Sequence, residues 1–146
     1  MILVDVNLLL YAVDDESPFH GPSRTWLVDQ LRGPEAVTLS WSIIMSFIRL
    51  STRRSSFSRP LTITQASDIV TTWLDEFEVG ILEPGPEHWM LLRDLLARGQ
   101  ATARLVTDAH LAALAMENGA MLCSTDGDFA RFKGLRWRNP LDVADH

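Results

Sequence analysis

One cysteine, one tyrosine and one lysine stand among the 146 residues. The lone Cys123 has no partner for an internal disulfide and cannot build a thiolate zinc cage; it agrees with a reducing compartment and reads as a small buried hydrophobe. Long apolar runs are also missing. None exceeds six residues, Leu8 to Val13 being one, against roughly 18 for a membrane span. The N-terminal stretch Met1-Ile2-Leu3-Val4 carries no basic leader and no small-residue cleavage site, so a cytoplasmic protein is expected. Positive charge is scarce. With 13 bases against 19 acids, the net charge of −6 argues against a protein that simply coats nucleic acid. What remains, 47% hydrophobic and 22% charged, fits one globular domain spanning residues 1–146.

The bases are unevenly spread. Arg49, Arg53, Arg54 and Arg59 share one segment without an acid, and Arg131, Lys133, Arg136 and Arg138 share another. Two local footholds for an anion thus lie on an otherwise repelling surface, although such runs are often only solvated faces.

Short apolar runs alternate with helical patterns along the chain. Met1–Val4, Ala36–Leu39, Val79–Leu82 and Ala120–Ser124 read as buried strands. Between them lie predicted helices: a short one over Leu8–Val13, one from Pro22 to Leu31, and one capped by Ser40 or Ser42 and carrying Ile43, Ile44, Phe47 and Ile48. Further on come one with Thr64 as cap, one over Glu87–Ala97, and one beginning at Thr107-Asp108 and ended by Asn118-Gly119. This order predicts an α/β fold with parallel strands and helices on both faces.

In an open parallel sheet, ligands bind beyond the carboxyl ends of the strands where strand order reverses. Asp5 and Asp126 each follow a predicted strand, and Asp108 opens a helix that packs on the sheet. Each alone reads equally well as a cap or turn former. Converged, three carboxylates must protonate, pair or hold a cation, and hard oxygen ligands suit Mg²⁺ or Mn²⁺. An oxygen-bound ion beside arginines suggests phosphodiester hydrolysis, with Asp5 and Asp108 holding the ion and Asp126 or Asp128 orienting the attacking water.

Ile2-Leu3-Val4-Asp5-Val6-Asn7-Leu8-Leu9-Leu10-Tyr11-Ala12 resembles the first motif of PIN-domain ribonucleases, and in particular of VapC-type toxins of bacterial toxin–antitoxin pairs. Thr107-Asp108-Ala109-His110-Leu111-Ala112-Ala113-Leu114-Ala115 resembles the third motif, and Ser124-Thr125-Asp126-Gly127-Asp128-Phe129-Ala130-Arg131-Phe132 the last. The match spans nearly the whole chain. The resemblance implies a three-layer α/β/α sandwich, a homodimer, a Mg²⁺- or Mn²⁺-dependent endoribonuclease and a cognate antitoxin that occludes the site. Carried over position by position, Asp5, Asp108 and Asp126 form the metal-holding acidic site with Asp128 accessory; Asn7, Ser46, Arg49 and Thr125 are the candidate substrate contacts, Arg49 to a phosphate and Ser46 through a metal-bound water. One departure stands out: Ser46 occupies the slot in which the family usually places a glutamate, three residues before Arg49.

That loss keeps a second reading open, a PIN-fold domain that binds RNA or an antitoxin without turnover. A dehalogenase-like phosphotransferase is disfavoured because position 7 is Asn, and a receiver module because the only lysine, Lys133, is not at a strand end. His20, His88, His110 and His146 show no ligand spacing, and His110 reads as a surface or packing residue. Trp26, Trp73 and Trp89 sit on helical apolar faces as core or dimer contacts, while Trp41 and Trp137 are candidates for base stacking. The apolar helices Pro22–Leu31 and Trp41–Leu50 are expected to form a groove for an antitoxin helix.

Overall fold

A computed structural model of the chain describes residues 1–142. Its elements, in order, are β1 (Ile2–Val4), α1 (Val6–Val13), α2 (His20–Arg32), β2 (Val37–Leu39), α3 (Trp41–Ser51), α4 (Ile63–Thr71), β3 (Gly80–Ile81), α5 (His88–Arg98), α6 (Val106–Glu117), β4 (Met121–Cys123) and β5 (Trp137–Arg138). A π turn, Thr72–Glu76, continues α4, and 3-10 turns at Ala103–Leu105 and Gly127–Arg131 flank α6 and β4.

The strands form one sheet in the order β3-β2-β1-β4-β5, and every pair is parallel. Strand order therefore reverses between β1 and β4, which pair in the register Ile2–Met121, Leu3–Leu122, Val4–Cys123. β1 is buried along its whole length, as its unbroken apolar run requires, and Leu3, Val4, Leu122 and Phe47 exclude solvent completely. On α3, Phe47 packs against Trp73 of the π turn with ring centroids 4.9 Å apart.

Several sequence expectations shift by a residue or two. Asp5 is itself the cap of α1, its Oδ1 accepting from Val6 N at 2.8 Å, so that helix begins at Val6 and not Leu8. α2 begins at His20, before Pro22, because proline in the first turn lacks only an amide that would have been unpaired anyway. Ser40, not Ser42, caps α3. Thr62 replaces Thr64 as the cap of α4, in a reciprocal box with Gln65 that satisfies both backbone amides. Thr107 and Asp108 lie inside the first turn of α6, which starts at Val106 straight out of a 3-10 turn with no side-chain cap. The fifth strand was not anticipated: Trp137-Arg138 is two residues long and lies in a basic stretch, too short for a period to show.

On the surface, α1 packs on both α2 and α3, the two helices expected to offer a groove. Trp73 is buried as a core residue, whereas Trp89 is 63% exposed beside Met90 on α5, off the apolar face assigned to it. Among the described residues no helix is long and apolar enough to cross a membrane.

Candidate metal centre

The reversal point places the ends of β1 and β4 side by side, and the chain leaving each strand carries an acid. Asp5 directly follows β1. Ser124, Thr125 and Asp126 follow β4, and α6 brings Asp108 to the same edge. A cleft of about 210 Å³ is lined there by Asp5, Asn7, Ser42, Ser46, Thr107, Asp108 and Asp126, with Val6, Ile43 and Leu111 as apolar walls.

Ser124 joins the two strand ends. Its fully buried hydroxyl donates to Asp5 Oδ2 at 2.7 Å and accepts from Asp126 N at 3.0 Å and from Asn7 Nδ2 at 3.1 Å. Asn7 Oδ1 in turn accepts from Thr125 N at 3.4 Å. Neither Ser124 nor this network was foreseen as functional; the available signal was its place at a strand end, two residues before an acid. Asp126 caps the following turn through Asp128 N, at 2.9 Å, which fixes the backbone that carries both acids.

The carboxylates repel one another. Burial pushes the Asp5 carboxyl up, and hydrogen bonds from Ser124 and Val6 only partly oppose this. Asp108 is pushed up to about 6, first by desolvation and then by the charges of Asp126, Asp5 and Asp128. Asp128 goes the other way. Arg104 Nη1 donates to its Oδ2 at 2.9 Å, Arg131 lies 3.6 Å from its Oδ1, and these cations hold its pKa below the usual carboxylate range.

One oxygen each from Asp108, Asp126 and Asp128 lie within 4.8 Å of one another. This is the one such group of three or more acidic, histidine or cysteine ligands among the described residues, and it differs from the expected trio by holding Asp128 in place of Asp5. The reason is local: Asp5 is turned into the Ser124 network, while the turn after β4 presents Asp126 and Asp128 together. All donors are carboxylate oxygens crowded by like charge, and this donor chemistry fits a hard divalent cation.

The other expected contacts divide. Ser46 and Asn7 line the cleft; Thr125 lines a neighbouring cavity; Arg49 is exposed on α3 and is not part of the cleft lining. The first basic stretch lies at the α3–α4 connection, where Arg59 pairs with Glu16 and Ser58 with Asp14, so the cations beside the acids are Arg104 and Arg131 instead. Trp41 donates to Glu83 and is half exposed beside Ser42 of the cleft, and Trp137 is half-buried with its Nε1 on Ser124 O. His110 does pack, against His88 (His88 Nε2 to His110 Nδ1, 2.9 Å), and His88 Nδ1 is hydrogen-bonded to Glu117 Oε1. That buried relay between α5 and α6 had no sequence signal, because its members are 22 and 29 residues apart.

Residues 2–135 match the PIN domain family. The chain is 41% identical over 140 residues to Ribonuclease VapC37 of Mycobacterium tuberculosis, covering 96% of this chain and 97% of that one. It is 36% identical over 141 residues to Ribonuclease VapC33 of the same organism, covering 97% and 99%. Among solved structures it resembles VapBC-1 from nontypeable Haemophilus influenzae (TM-score 0.69, 17% identity, 97% of this chain and 100% of that one). It also resembles Mycobacterium tuberculosis VapC20, described as a sarcin-ricin loop cleaving toxin (TM-score 0.69, 18% identity, 95% and 100%). With an all-parallel sheet that gathers its acids at the reversal point and full-length likeness to these relatives, the chain belongs to the PIN-domain family, in its VapC group.

Proposed function

We propose that the chain acts as a single-domain, metal-dependent endoribonuclease, the toxin of a toxin–antitoxin pair in the cytoplasm, hydrolysing RNA phosphodiester bonds at the Asp5–Asp108–Asp126 cleft. The observation that carries this reading is the convergence of those three acids, from three distant segments, on one cleft at the strand-order reversal. Full-length likeness to proteins named VapC ribonucleases supports it.

On this reading Asp108 and Asp126 hold Mg²⁺ or Mn²⁺, with Asp5 behind them and Asp128 at the rim. Such an ion supplies Lewis-acid polarisation of a phosphate oxygen and lowers the pKa of water. Asp5, buried and held by Ser124, keeps its carboxylate fixed in the cleft wall. Asp128 is anchored by Arg104 and Arg131, and so is oriented from outside the cleft. Ser46 and Ser42 put hydroxyls where a further carboxylate would add charge, so they offer hydrogen bonds to water or phosphate without adding to the repulsion. Asn7 and Thr125 face RNA beside the acids.

The expected partners are RNA, a second copy of the chain and an antitoxin. A solved structure that shares this fold is of VapBC-1, which supports an antitoxin partner, and the exposed Trp89 and Met90 on α5 are an apolar surface suited to pairing.

The test is cleavage of end-labelled RNA by the purified protein with Mg²⁺ or Mn²⁺, with EDTA, and with Asp5→Ala and Asp108→Ala alongside. Fragments that need the metal and vanish in both variants are expected. Identical behaviour of wild type and variants, with RNA or antitoxin binding retained, would instead establish the non-catalytic binding reading that the missing glutamate at Ser46 keeps in view.

A further inference from the structure

Next to the acidic cleft, and joined to it by Thr125, lies a second concavity that the proposed hydrolysis leaves unused. It has a volume of about 350 Å³ and is lined by Tyr11, Phe19, Pro22, Thr125, Asn139 and Leu141. Tyr11 and Phe19 form a tilted aromatic pair with centroids 5.0 Å apart, and Phe19 is 49% exposed at the start of α2. Pro22 and Leu141 also line a further cavity of about 470 Å³ along α2, so the depression continues away from the acids.

We propose that this concavity is a nucleobase subsite, in which an unpaired base adjoining the scissile phosphate stacks on Phe19 and Tyr11. The inference rests on the ribonuclease reading and adds to it the single-stranded, base-exposed form of the substrate. Three features of the molecule carry it.

The first is continuity. Thr125 walls the concavity, Asp126 beside it lines the acidic cleft, and Asn7, also in that cleft, holds the Thr125 amide at 3.4 Å. The turn that carries Thr125 and Asp126 therefore borders both the concavity and the acidic cleft. The second is chemistry. Two ring faces beside the Thr125 hydroxyl and the Asn139 side chain give a base what it needs, stacking on its faces and hydrogen bonding at its edge. Carboxylates are absent from this lining, in contrast to the cleft. The third is charge. The chain carries a net −6 and the cleft concentrates acids, so the phosphate backbone alone is a poor source of affinity, and uncharged base stacking fills that role.

The experiment uses the full chain with Ca²⁺ and a short fluorescein-labelled oligouridylate carrying one 5-iodouridine. Anisotropy is read for the wild type, Phe19→Ala, Phe19→Tyr and the surface control Ile63→Ala on α4, with circular dichroism to confirm folding. Phe19→Ala is expected to weaken binding about tenfold, the usual worth of one stacked base, while Phe19→Tyr and Ile63→Ala stay near wild type. Irradiation is expected to crosslink the iodouridine to the peptide bearing Tyr11 or Phe19. Unchanged affinity in Phe19→Ala, or crosslinks that map to Trp41 or Trp89, overturns the subsite. A Phe19→Ala variant that keeps its RNA affinity but no longer copurifies with the antitoxin overturns it in favour of a peptide occupant. Cleavage with Mn²⁺ separates the two levels. If the wild type cleaves and Phe19→Ala has the same kcat/KM, the subsite fails alone; if RNA binds through Phe19 and is never cleaved, the ribonuclease reading fails alone; if the wild type neither binds nor cleaves, both fail.

Discussion

Removing a charge from the acidic cleft should stabilise the metal-free protein, and Asp108→Asn is the variant that isolates the effect. The Asp108 carboxyl is raised from 3.8 to about 6 by desolvation and by three neighbouring carboxylates. The folded chain thus keeps its proton over a pH range in which the unfolded chain has lost it. Stability contributed at this position is present below about pH 4, falls as pH rises through the window to about 6, and stays low above it. At about 1.4 kcal/mol per pKa unit the full shift corresponds to roughly 3 kcal/mol. The group is only half-buried, and solvent screening reduces this to about 1 kcal/mol. For a chain of this length that is a rise in Tm of roughly 2–4 °C. Thermal unfolding followed by circular dichroism in EDTA should show Asp108→Asn melting above the wild type at pH 7.5 and level with it near pH 4. Adding Mn²⁺ should reverse the order, because a ligand bound only by the folded wild type raises its Tm by mass action. A variant that melts below the wild type at pH 7.5 in EDTA, or one with the same offset at both pH values, would refute the repulsion argument.

Other substitutions probe separate parts of the structure. Ser124→Ala strands the partners of a fully buried hydroxyl at Asp5, Asn7 and Asp126 N; it should cost about 1–3 kcal/mol in denaturant titration and weaken Mn²⁺ binding in calorimetry. Ser46→Glu restores a carboxylate to the cleft wall, so Mn²⁺ affinity should rise while the metal-free Tm falls. Glu117→Ala leaves His88 and the Gly85 amide without their acceptor between α5 and α6 and should cost about 1–3 kcal/mol of unfolding free energy, with little change in metal affinity. Phe47→Ala opens a void against Trp73 and should cost about 3–5 kcal/mol by the same titration.

The parallel α/β architecture was legible because β1 and β4 are largely buried and carry unbroken apolar runs, and because helices such as α3 and α4 keep their period. The acids were legible for a related reason: strand-end and helix-start positions can be counted along a chain. What lay beyond reach were relations between distant residues. The 119-residue separation of Ser124 and Asp5, the pairing of Arg104 with Asp128, and the His88–Glu117 contact leave no periodic trace. Charge density along a sequence did not reveal Arg104, which is isolated from other bases and sits at the acids because the turn before α6 ends there. The aromatic pair escaped for the same reason, Tyr11 and Phe19 lying in different helical segments that meet only when α1 folds back on α2.

The pairing of β1 with β4 also bears on how the protein comes into being. The first strand finds this neighbour only after residues 121–123 have been made, and β5 must follow to complete the sheet. A ribosome-bound nascent chain, or a fragment truncated before β4, holds Asp5 with no Ser124 to orient it and no Asp126 beside it. The hydrolytic centre we propose therefore assembles only once the segment that follows β4 has been made and has paired beside β1.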